Sequence, residues 1–138
     1  MKLLLLFLIS IPTIAMARDY KLEDFPAEKT SVENTAKIDF TSNPSLKKYK
    51  TVLTEGMKEG PNFAGNFTVV SFGCGSNCAI VVVLNSSGKI LHEANACAGK
   101  EYSIKSNLLI LNPLDEEYSL PGCDPEYYVL KNGNIEKL

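Results

Sequence analysis

Phe67-Thr68-Val69-Val70-Ser71-Phe72, then Gly73-Cys74-Gly75-Ser76-Asn77-Cys78, then Ala79-Ile80-Val81-Val82-Val83-Leu84 follow one another without a break. Two runs rich in Val, Ile and Phe flank a segment of turn formers framed by two cysteines. That composition reads as two strands joined by a turn. The second run is apolar at every position from Ala79 to Leu84, the pattern of a strand buried on both faces. The turn sets the class of protein, because it reads as a closed disulfide, a redox pair or half of a metal site.

The N-terminus bears on that choice. Lys2 precedes an apolar run from Leu3 to Ile11, broken by Pro12, and Ala15-Met16-Ala17 carries small residues where a signal peptidase reads. The expectation is a signal peptide over residues 1–17 and a mature chain beginning at Arg18. The run is well short of the roughly 20 residues that span a bilayer, and no later run approaches that length. An exported chain, periplasmic or secreted, meets oxidising conditions. There the four cysteines, Cys74, Cys78, Cys97 and Cys123, read as two disulfides. Three pairings are open, and Cys74–Cys78 with Cys97–Cys123 is preferred. Joining Cys74 to Cys78 requires the chain to turn, since an extended segment holds their Cα atoms beyond disulfide reach.

Residues 18–35 are polar and read as an irregular lead-in to a single domain over residues 36–138. Ala36 to Phe40 alternates like a short strand. Asn43 and Pro44 suit the cap and first turn of a helix. Leu46, Tyr49, Leu53 and Met57 form one apolar stripe on it, and Gly60-Pro61 ends it. Further strands are expected at Lys89–His92, Tyr102–Ile104, Leu108–Leu111, Tyr127–Leu130 and Ile135–Leu138. Asn132-Gly133 marks a tight hairpin between the last two. The fold class is α+β: one N-terminal amphipathic helix, then a mostly antiparallel β-sheet built from hairpins and stapled by disulfides.

The chemistry refused is as informative. A net charge of −2 argues against nucleic acid as partner, and Lys47, Lys48 and Lys50 read as a solvated helix face. His92 is the only histidine, which leaves no metal set and no Ser–His–acid or Cys–His pair beyond it. It reads as a polar residue on a hairpin strand. Gly73-x-Gly75 lacks the third glycine and the helix that phosphate binding needs. Asp115-Glu116-Glu117, Asp124 and Glu126 read as solvated surface, with weak calcium binding or glycoside hydrolysis as the alternative. Asn66-Phe67-Thr68 and Asn85-Ser86-Ser87 are sequons of the number that eleven asparagines produce by chance. No catalytic residue, cofactor or metal is assigned.

Gly60-Pro61-Asn62-Phe63-Ala64-Gly65 is a tightly specified connection with Phe63 turned into the core, or a ligand-contacting loop. The candidate binding residues are Asn62, Phe63, Asn66, Ser76 and Asn77. This stretch, followed by Gly73-Cys74-Gly75-x-x-Cys78, resembles a group of small exported bacterial proteins of unassigned function. The resemblance covers residues 36–138, including Ser106-Asn107-Leu108-Leu109 and the Tyr-rich final hairpin. In that group Trp often stands at the position of Phe72, and a bulkier polar residue at Asn66. The resemblance implies a periplasmic home and a shared fold, and no activity.

The expected function is a non-enzymatic exported domain that binds a protein or small ligand, of the inhibitor or immunity type. Its rivals are thiol–disulfide exchange through Cys74 and Cys78, and hydrolysis by the acidic C-terminal region.

Overall fold

The computed structural model describes residues 19–28, 37–115, 117 and 120–138. The expected signal peptide, Arg18 and residues 29–35 of the lead-in, Ala36 and Glu116 lie outside them. A 3-10 helix, Pro44–Tyr49, runs into α1, Lys50–Lys58. Among the described residues seven strands follow: β1 Thr68–Gly75, β2 Cys78–Leu84, β3 Ile90–Ala96, β4 Lys100–Glu101, β5 Leu108–Leu111, β6 Glu126–Lys131 and β7 Asn134–Lys137. They form two antiparallel sheets, β1-β2-β3 and β4-β5-β6-β7, where the sequence suggested one.

The apolar β2 run explains the layering. Ile80, Val82 and Leu84 pack on one face against Leu46, Leu53 and Met57. Val81 and Val83 pack on the other against Leu109, Leu111 and Tyr128 of the second sheet. All five β2 residues from Ile80 to Leu84 are buried, and each such side chain stabilises the fold by about 1.5–3 kcal/mol. Leu108 and Ile110 are also buried. The second sheet is covered from outside by residues 19–28. There Ser106 Oγ donates to the Leu22 carbonyl (2.7 Å), and Asn107 N–H donates to that of Phe25 (2.7 Å). The Tyr20 ring meets Tyr127 edge-on at 5.2 Å.

Three local expectations need correction. The helix precedes the strands at residues 50–58 rather than heading the chain, and its first turns are 3-10. The Asn43 side chain makes no capping bond; its carbonyl accepts from Leu46 N–H instead. Residues 37–40 form no strand. Asp39 makes an isolated parallel bridge to Lys89, and its carboxylate then turns back to accept from Thr41 N–H (2.9 Å) and the Thr41 hydroxyl. Tyr102–Ile104 is not a strand either. The carbonyls of Ser103 and Ile104 accept from Ala64 and Gly65 N–H, so they fasten the Gly60–Gly65 connection rather than a ladder.

Both disulfides close, Cys74–Cys78 with Cα atoms 5.1 Å apart and Cys97–Cys123 with 6.0 Å. Asn112, at φ 53°, sews the second bridge in place. Its Oδ1 accepts from Cys97 and Ala98 N–H at 2.7 and 2.9 Å, and its Nδ2 donates to the Asp124 carbonyl at 3.1 Å. The final hairpin turns at Asn132 and Gly133, both at positive φ, as the Asn-Gly pair requires. Among the described residues, no helix is long and apolar enough to cross a membrane.

Candidate functional site

β1 is an edge strand, and the way its two ends are closed leaves its middle open. Asn62 lies outside the sheet beside Val69. Its Nδ2 donates to the Val69 carbonyl (2.9 Å) and its Oδ1 accepts from Val69 N–H (2.7 Å). Val69 therefore points its main-chain groups away from β2. Antiparallel pairing alternates inward and outward groups, so Val70 and Phe72 bond to β2 while Ser71 and Gly73 face out. Among the described residues no hydrogen bond reaches the outward groups of Ser71 or Gly73. At the far end the register slips between Gly73 and Gly75, a bulge at Cys74 that stops regular pairing just before the disulfide turn. Gly73 is exposed, and a Cβ built on it would meet nothing within 4 Å.

The opposite edge of that sheet is protected differently. The β2–β3 register slips between Val83 and Leu84, which leaves Leu91 unpaired, and the exposed charge of Glu93 stands on β3. Bulges and charges of that kind block pairing with another chain. On β1 the window from Ser71 to Gly73 carries neither.

A groove of about 300 Å³ follows the β1 edge over Asn62, Val69, Val70 and Ser71. Val52, Glu55 and Gly56 of α1 and Glu59 at its C-terminal end make one wall, and Lys100 and Tyr102 make the other. Glu55 is held by Lys58 at 3.0 Å, both exposed. Neither Glu59 nor Lys100 has an ion-pair partner among the described residues. The groove thus has carboxylates on its helix side and an ammonium group on its sheet side.

Comparison with protein-family models, with curated proteins and with solved structures finds no match to this chain.

The five residues singled out from sequence are not brought together. Asn62 lies in the groove and acts as the stop that fixes where the open edge begins. Phe63 is fully buried in the inter-sheet core and presents nothing to a ligand. Asn66 is half-buried in the turn that closes the Phe63–Phe67 bridge. Ser76 and Asn77 are exposed at the hairpin tip. A strand rises about 3.3 Å per residue, so most of the length of β1 separates the tip from Asn62. Sequence reading missed the edge between them, since strand order is not written in periodicity. Paired runs at Phe67–Phe72 and Ala79–Leu84 were legible, but which of the two lies outermost was not.

His92 also has a setting that the sequence did not show. It stands on β3, opposite Val83, and its ring lies 4.5 Å from that of Tyr128 in the other sheet. Its Nε2 is buried without a hydrogen-bond partner. Burial holds the imidazole below its ordinary pKa, against the pull of Glu126 and Glu93. Glu126 accepts from Lys137 Nζ (2.7 Å) and the Tyr128 hydroxyl (3.0 Å), and the Lys137 bond leads in holding its carboxyl below the ordinary range. This cluster closes the seam between the sheets. Among the described residues, no three His, Cys, Asp or Glu side chains gather to hold a metal ion.

Proposed function

We propose that this is an exported binding domain that takes an extended segment of a protein partner onto the open edge of β1, in the manner of an inhibitor or immunity-type factor. One observation carries the reading. The outward main-chain groups of Ser71 and Gly73 stand unpaired between two built stops, Asn62 at Val69 and the bulge at Cys74. Edges left in that state accept another strand, with main-chain bonds supplying affinity and flanking pockets supplying selectivity. Export is supported by the signal-like N-terminus and by the two disulfides, which oxidising compartments sustain. We read Cys74–Cys78 as a staple for the edge rather than an exchange pair. It sits across a two-residue β-turn, without the helix N-terminus whose dipole lowers a thiol pKa.

The test is capture from periplasmic extract with the mature chain and with Ser71→Pro. Proline at 71 removes only an outward donor, which edge strands tolerate, so the β1–β2 ladder survives. A specific partner held by the parent and lost by Ser71→Pro, at equal stability, supports the reading. A partner retained in full by the variant, or no specific partner in repeated captures, contradicts it.

A further inference from the structure

We infer that the segment accepted by this edge runs antiparallel to β1 and carries an apolar residue, an acidic residue and a basic residue in that order. The inference rests on the reading of β1 as the docking edge and names the chemistry of its partner.

Directly opposed residues in a sheet point to the same face. Ser71 lies opposite Val81 in the inter-sheet layer, so a residue added opposite Ser71 leans toward the second sheet, where Lys100 and Tyr102 form the wall. An acid fits there. The next position lies opposite Val70, on the helix side, where Glu55 and Glu59 face the groove. A base fits there. The position before the acid lies opposite Phe72, which is half-buried and packed at 4.6 Å on Tyr49. An apolar side chain extends that pair. Antiparallel pairing lets the residues opposite Ser71 and Gly73 each exchange two main-chain bonds with the edge, and per residue it is the more stable arrangement. Asn62 occupies the next outward position at Val69, so the pairing stops there.

The experiment is an NMR titration of the isotopically labelled mature chain with two capped peptides, Thr-Val-Glu-Lys-Thr and its charge-swapped partner Thr-Val-Lys-Glu-Thr. The first is expected to shift the Ser71 and Gly73 amides and to bind about fivefold tighter, the scale of two exposed ion pairs. The preference is expected to shrink at high salt and to reverse in Glu59→Lys/Lys100→Glu. Equal affinities, or a preference that survives charge reversal, overturn the inference while the shifted amides leave the docking edge standing. No shift at Ser71 or Gly73 with either peptide overturns the docking edge itself. Shifts and exchange protection that grow with protein concentration before any peptide is added assign the edge to a second copy, and the inference fails.

Discussion

Asn62 holds Val69 from outside the sheet, its side-chain amide closing both main-chain groups of that residue at 2.9 and 2.7 Å. One side chain thereby does the work of a neighbouring strand at a single position, and it fixes where the open edge of β1 begins. Asn62→Ala should cost about 1–2 kcal/mol, since both Val69 groups lose their partners in a half-buried place. It should also let the Val69 amide exchange with solvent. Asn62→Asp should recover only part of the loss, because it keeps the acceptor for Val69 N–H and sets an anionic oxygen against the Val69 carbonyl. Urea denaturation gives the free energies and amide exchange gives the edge.

Gly56→Ala should destabilise although it lies in a helix. Alanine gains about 1 kcal/mol there from propensity alone. A Cβ at Gly56 would stand 2.5 and 2.8 Å from the two methyls of Val70, which is itself buried, and overpacking of that kind costs about 1–3 kcal/mol. The helix must shift off β1 or strain the core. Thr51→Ala, on the exposed face of α1, is the control and should stabilise slightly. A gain in the urea midpoint for Gly56→Ala would contradict the close approach of α1 to β1.

The two disulfides should differ in worth. Cys97–Cys123 spans a sequence separation of 26, and Cys74–Cys78 one of 4. Replacing the first pair by serine should cost about 3.5 kcal/mol and the second about 2 kcal/mol, by the entropy each loop removes from the unfolded chain. The second loss should leave the fold intact and loosen the hairpin tip, with faster exchange confined to the end of β1.

Stability should fall as the pH drops below 6.5, in a step that belongs to His92. Its folded pKa lies below the ordinary histidine value of 6.5, so the unfolded chain takes up the proton first. Stability is complete above 6.5 and is lost as pH falls toward the folded value. Glu126, also depressed but from 4.5, loses its contribution only in more acid solution. As this is the only histidine, His92→Gln should flatten the dependence that begins as pH falls below 6.5. Urea midpoints across that range check it; an unchanged slope in the variant would exclude His92 as the source.

What could be read without coordinates followed from short-range chemistry. The continuous Ala79–Leu84 run gave the doubly buried strand, Asn132-Gly133 gave the hairpin, and the Leu46–Met57 stripe gave the helix face. Each is a local pattern with one dominant physical cause. The misses were long-range. Ala36–Phe40 alternates like a strand, yet the Asp39 carboxylate turns back on Thr41 and ends the extension. Two sheets replaced one because β2 needs a layer on each side, which fixes how many layers are needed but not which strands supply them. The close approach of Gly56 to Val70 is likewise a contact between distant parts of the chain. The open edge itself depends on strand order, on Asn62 folding back seven residues ahead of Val69 and on the bulge at Cys74, and none of these is a periodicity.

The most direct measurement of the central claim is residue-resolved amide exchange on the free, mature protein. The account predicts that Ser71 and Gly73 exchange near the rate of unprotected amides, while their neighbours Val70 and Phe72 are protected by β2 and Val69 by Asn62. Protection of Ser71 and Gly73 comparable to that of Val70 and Phe72, in dilute protein, would show that the edge is already covered and would contradict the proposed mode of binding.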